Sequence, residues 1–168
     1  MGIEMNKAVG DIVKPDKLQT TITGTVMGMS LQVQVITLGN KTYMTNPLTS
    51  KWELLSNEFK VLSVFDPSTG VAAIMKGITS PTKLSDEEVQ GSNCYHIAGS
   101  VDSGKLSPIT GSSVQGVTIS AEVWTGKDDF QPRQIKLTGK ITESEKEGIV
   151  RMLNLSNFNQ EVKIESPQ

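Results

Sequence analysis

Cys94 and His96 carry the chemistry of a nucleophilic pair, and they stand two apart in NCYHIAG. On a strand that spacing puts both side chains on one face, opposite Tyr95 and Ile97. A thiol activated by an imidazole is a nucleophile. The plainer reading is an ordinary strand histidine beside a buried small thiol, and it fits the same letters. Cys94 is the only cysteine and His96 the only histidine, so no intramolecular disulfide can form. Two ligands also fall short of the three or four that a zinc site takes.

Other polar groupings point no more firmly to catalysis. The run Ser85-Asp86-Glu87-Glu88 lacks the alternating oxygen ligands and turn glycine of a calcium loop, and suits a charged strand edge. Asp128-Asp129 falls in a hairpin turn, where Asp is expected for backbone reasons. GSSVQG at 111–116 has the glycine spacing of a phosphate loop without the Lys-Ser/Thr that must follow. Asn40-Lys41-Thr42 and Asn154-Leu155-Ser156 match glycosylation acceptors, which matter only in a eukaryotic secretory path. GxSxG and HExxH are absent. The expectation is a protein that is not an enzyme and that uses no metal or cofactor.

The elements that position these residues are mostly strands. Ile3, Met5, Val9, Ile12 and Val13 have loosely helical spacing before Pro15, which predicts a short helix or its remnant over 3–13. From Lys17 the period changes to two. Leu18, Thr20, Ile22, Gly24 and Val26 form one face of a strand, and Met29, Leu31, Val33 and Val35 one face of the next. Gly39-Asn40 turns into a third strand, Lys41 to Thr45. Further strands are predicted at 82–89, 92–101, 117–125, 132–142 and 149–156, with a last one at 161–165. One segment breaks the alternation: VFDPSTGVAAIMKG, residues 64–77, reads as a helix apolar on nearly every side, with Asp66 able to cap it and Pro67 in its first turn. A second helical turn is predicted around Leu106 and Ile109.

A chain of 168 residues makes one domain with a real core. A net charge of −2 with scattered Lys and Arg excludes the basic stripe of a nucleic-acid partner. Aromatics are few, so the interior is aliphatic. No stretch has the length of a membrane span. The chain opens Met-Gly directly before domain sequence, as expected of a protein trimmed of a leader. Pattern alone predicts a curved antiparallel sheet with a helix against its inner face.

The order of motifs is familiar. LGNKTYMTNPLTSKWELLS, FDPSTGVAAIMKGI, EEVQGSNCYHIAGSVDSGKL, AEVWTGKDDFQPRQIKLTG and NLSNFNQEVKIESP follow one another over about residues 17–167. In this order they resemble the LppX/LprAFG group of bacterial envelope lipoproteins, which have a LolA/LolB-like fold. The resemblance implies an α+β half-barrel: a single strongly curved antiparallel sheet over 17–167, short helices across its concave face, and residues 1–16 as a truncated helix or tail. It also implies a monomer with an acyl lipid or glycolipid ligand in an apolar cavity. Its membrane anchor would be a lipidated N-terminal cysteine in the full-length precursor, at the outer face of the cytoplasmic membrane or in the periplasm. The lipobox cysteine itself is absent from this chain.

Strand parity supplies the candidate cavity lining: Leu18, Ile22, Val33, Val35, Tyr95, Ile97, Ile119, Val123 and Ile135, facing Val71, Ile74 and Met75 of the helix. Ordinary core packing would select the same residues. An acyl chain of sixteen carbons represents on the order of 12 kcal/mol of transfer free energy, so a carrier needs a hollow and a cover but no catalytic group. The competing expectation is a cell-surface interaction module with a filled core and no lipid ligand.

Overall fold

Polar–apolar alternation becomes paired strand over most of the chain. The computed structural model describes residues 4–55, 71–106, 116–142 and 145–167. These fall in two units, Met1–Leu62 with Gln160–Gln168, and Ser63–Asn159.

The first unit is an antiparallel meander of β1 (Glu4–Val13), β2 (Lys17–Val26), β3 (Met29–Leu38), β4 (Lys41–Thr45) and β5 (Trp52–Leu54), hydrogen-bonded in that order. The predicted helix over 3–13 is a strand. Its backbone pairs with β2 from Glu4↔Thr25 to Val13↔Lys17, with a bulge at Asn6. Two physical reasons override the helical spacing. β-Branched Val9, Ile12 and Val13 favour extended backbone, and Gly10 is a poor helix former. Gly10 also lies so close to β2 that a Cβ there would sit 2.0 Å from the Gln19 carbonyl oxygen. The predicted strand at 161–165 joins no ladder among the described residues, although Ile164 is buried.

In the second unit, α1 (Val71–Lys76) precedes β6 (Thr79–Lys83), β7 (Glu87–Val89) and β8 (Ser92–Asp102). A 3-10 turn at Ser103–Leu106 is followed by β9 (Thr118–Gly126), β10 (Pro132–Thr138) and β11 (Val150–Asn154). The sheet order is β11-β10-β9-β8-β6, with β7 also on β8. The single strand expected at 82–89 is thus two, separated where Asp86 turns to Lys83 and Lys127. Gly99 admits β6: a Cβ there would stand 2.5 Å from Ile78 Cγ2 and 2.8 Å from the Thr79 carbonyl. Asp66, Pro67 and Ile109, assigned to helices from the sequence, lie outside the described residues.

The expected fold class needs correction. Two antiparallel sheets form instead of one curved sheet, and the described residues hold one α-helix and one 3-10 turn rather than several helices across a concave face. Alternation reports which face of a strand is buried, not which strand lies beside it. In the described ladders β5 pairs with β4 and β6 pairs with β8, so the sheet does not continue from one to the other.

The core of the second unit lies on one sheet face. Cross-strand neighbours Val101↔Ile119, Gly99↔Ala121, Val123↔Ile135 and Ala121↔Leu137 share it. Val71 and Ile74 of α1 pack there with Leu106 and Ile141. The helix is apolar on several sides because it plugs this face.

β10 stops at Thr138 rather than at the expected Thr142, since Gly139 takes φ 138° and a tight turn follows. Glu145 organises that turn: its Oε2 accepts the backbone N–H of Ile141 at 2.7 Å and of Thr142 at 3.2 Å, and Arg151 pairs with its other oxygen. Burial alone would raise this carboxyl, but the two N–H donors and the guanidinium outweigh it and hold the group down at about 2. A depressed carboxylate stabilises the fold in full above its ordinary value of 4.5 and loses that contribution as pH falls toward 2. Between pH 6 and pH 2.5, stability should fall by roughly 2–3 kcal/mol through this group, and Glu145→Gln should flatten that slope in urea titrations.

Candidate functional site

The residues expected to line one cavity divide between the two units. Leu18, Val33 and Val35 are buried and Ile22 half-buried on one face of the five-stranded sheet, where Ile22 opposes Val33. Ile119, Val123 and Ile135 meet Val71 and Ile74 in the core of the six-stranded sheet, with Met75 packed against them. Ile97 is half-buried and pairs directly with Val123 of that cluster. Tyr95 is set apart: the ammonium groups of Lys127 and Lys83 lie 5.3 and 5.7 Å from its ring centroid. Parity passed over Val101, Leu137 and Ile141, which are equally part of the core. Leu137 was legible, since it follows Ile135 by two.

The opposite face of the six-stranded sheet answers the question raised by Cys94 and His96. The Cys94 thiol donates to the Ser92 carbonyl at 3.3 Å, and burial pushes it above its usual range, away from a thiolate. His96 turns elsewhere. It opposes Trp124 across β8 and β9, and the two rings stack with centroids 4.2 Å apart. His96 Nε2 lies 3.1 Å from Glu122 Oε2, and the Trp124 indole N–H donates to Glu87 at 2.7 Å. The Lys136 ammonium, donating to Glu122 at 2.8 Å, and then His96 hold the Glu122 carboxyl below its usual range against the effect of burial.

In this polar ladder the thiol and the imidazole are engaged with separate partners. Trp124 falls on this polar-parity face because its indole nitrogen needs an acceptor, which Glu87 provides. Two members of the acidic run 85–88 are therefore engaged within the sheet. Asp86 binds Lys83 and Lys127, and Glu87 binds Trp124. Among the described residues no cluster of three metal-ligating side chains occurs.

The five-stranded sheet carries a shallow recess of about 120 Å³ bounded by Gln19, Thr20, Thr21, Gln34, Ile36 and Trp52. Its amides and hydroxyls suit hydrogen bonding and its indole suits a flat apolar surface. It is too polar and too small for an acyl chain. No described helix is long and apolar enough to cross a membrane.

Comparison with known proteins agrees with this arrangement of strands. The structure is similar to LprF from Mycobacterium bovis, with a TM-score of 0.67 and 13% identity over 90% of this chain and 75% of that one. It is also similar to the lipoprotein LppX from Mycobacterium tuberculosis, with a TM-score of 0.59 and 15% identity over 88% and 73% of the two chains. At these identities the likeness shows the fold. In sequence the chain is 24% identical to the lipoarabinomannan carrier protein LprG of Mycobacterium leprae, across 99% of this chain and 70% of that protein. Residues 1–164 match the LppX_LprAFG lipoprotein family as a whole, and the chain belongs to that family.

Proposed function

We propose that the protein is a non-catalytic carrier or presenter of lipids or glycolipids at the cell envelope, held there in its precursor by a lipidated N-terminal cysteine. The observation that carries this reading is the family match over residues 1–164. The lipoarabinomannan carrier among its relatives supports a lipoglycan as one class of ligand. The aliphatic faces of the two sheets supply the chemistry, since each methylene removed from water contributes about 0.8 kcal/mol without any directional group.

In the six-stranded unit an acyl chain would take over contacts now made by Val71 and Ile74. Loading there involves a lift of α1, whose last turn closes with the Gly77 N–H on the Ile74 carbonyl at 2.9 Å. Protein purified without detergent from a lipid-rich bacterial host should carry acyl species in native mass spectrometry. Val71→Trp should reduce that loading more than it reduces stability. Absence of bound lipid, together with no uptake of a fluorescent fatty acid, would overturn the reading. The filled cluster around Ile74 favours a second function, an interaction module with no lipid ligand. Pull-down of one stoichiometric envelope protein by lipid-free material would support it.

A further inference from the structure

The hairpin joining β2 to β3 holds the longest uncharged stretch of the chain. No charged residue occurs from Leu18 through Asn40, although Lys17 and Lys41 bracket the stretch. β4 accompanies β3 only as far as the Val35↔Met44 pair. From there to Met29 the hairpin runs on for about 20 Å with β1 as its one neighbouring strand among the described residues.

The apolar face that holds Leu18, Val33 and Val35 continues along this extension through Leu31, Val26 and Met29, and Met5 of β1 joins it opposite Gly24. Burial fades along the way. Val35 is fully buried, Val26 and Leu31 are half-buried, and Met5 and Met29 are 60% and 68% exposed.

The turn adds an independent observation. Met27 and Gly28 have φ of 52° and 79°, a two-residue turn with both central residues in the left-handed region. Asn, Asp or Gly is favoured at the first of these positions, because a larger side chain strains the backbone there. This chain places a methionine there and leaves it 76% exposed. The same turn geometry recurs at Gln90-Gly91, so what sets Met27 apart is its exposed apolar side chain, which contributes little to folding.

We infer that the β2–β3 tip, with Met27 and Met29 at its end and Met5 of β1 beside it, is a docking element that enters the interfacial region of a lipid bilayer. Three features select a bilayer over a protein partner. The β2–β3 hairpin itself carries no charge for a partner to complement or to desolvate in lipid; the nearest charged residues, Glu4 and Lys7, lie beside it on β1. Methionine is flexible and adapts to a disordered apolar medium. Glu4 pairs with Thr25, so any segment ahead of β1 leaves the sheet at this same end. In a lipoprotein the tether and the tip would then face one membrane. A tether fixes distance but not orientation, and a second apolar contact strengthens membrane attachment. This inference rests on the envelope location proposed above, but not on any internal lipid site.

Flotation of the unlipidated chain with phosphatidylcholine vesicles tests it. The wild-type chain should partition onto the vesicles, and 0.5 M salt should not release it, because the hairpin is uncharged and the vesicles carry no net charge. Met27→Asn should lower partition about tenfold while holding or raising the unfolding midpoint, since Asn-Gly suits this turn better. Met29→Ser should lower partition with native circular dichroism. Equal partition of wild type and both variants, or none by wild type, would overturn the inference. So would concentration-dependent dimerisation that the same substitutions abolish, which would assign the tip to a second copy of the chain. Native mass spectrometry of Met27→Asn keeps the two proposals apart: retained acyl species with lost flotation supports the docking role alone. Retained flotation without acyl species overturns only the carrier reading.

Discussion

Ile74→Ala will destabilise the six-stranded unit by about 2–5 kcal/mol, the range for emptying a well-packed core position. Ile74 is 2% exposed and belongs to the cluster that includes Leu106, Val101 and Ile119. Its helix has six residues, too few to persist without packing. Truncating the side chain therefore opens a cavity and also removes much of what holds α1 in place. Urea titration followed by Trp124 fluorescence measures the loss. Met75→Ala, on the same helix but half-buried, should cost less than half as much. A cost for Ile74→Ala below about 1 kcal/mol would mean that α1 is not docked on the sheet as described.

Gly10→Ala should separate β1 from β2, and its sign discriminates between two conformations of residues 4–13. In a helix this change would stabilise by about 1 kcal/mol. In the strand, the new Cβ would meet the Gln19 carbonyl at 2.0 Å and Thr20 Cα at 2.6 Å, both backbone atoms that cannot turn aside. Overpacking of this kind costs about 1–3 kcal/mol, and here the edge strand is the element free to move. Hydrogen exchange should show lost protection in β1 and along the β2 edge facing it, with β3 and β4 unaffected. Gained stability, or unchanged protection, would show that the β1–β2 approach is looser than the structure has it.

β1 also shows why sequence periodicity misled. Helical spacing of apolar residues predicts a helix when one face is destined for the core. Met5 and Val9 are instead exposed, and the segment is held by backbone pairing with a neighbour brought beside it by a turn. No local pattern encodes that partner. The strands from 17 to 45 were legible because each alternates strictly and is joined to the next by a two-residue turn. Burial of most of the candidate lining residues was legible, but not which sheet each would join. Val33 and Ile119 have the same alternating signature, yet one lies in the five-stranded sheet and the other in the six-stranded sheet.

Cys94 and His96 illustrate the same boundary. Their spacing rightly placed them on one strand face, but spacing is silent about Trp124, Glu87 and Glu122, which come from other strands and claim the imidazole. The methionine hairpin is the reverse case. Its lack of charge was written in the sequence, but its meaning depended on exposure, which follows from where β4 ends.

The sequence alone determined the strand-rich composition, the aliphatic interior, the position of the one greasy helix and the order of motifs that marks the family. These properties are local or cumulative along the chain, so letters suffice to express them. The tertiary structure decided that the strands form two sheets, that residues 4–13 extend an edge, and that α1 closes over Leu106 and Ile119. It also decided that the uncharged hairpin leaves its methionines exposed. Each of these depends on which distant backbone supplies the partner for a hydrogen-bonding edge or an apolar face. A period of two, repeated in nearly every strand, does not distinguish one such partner from another.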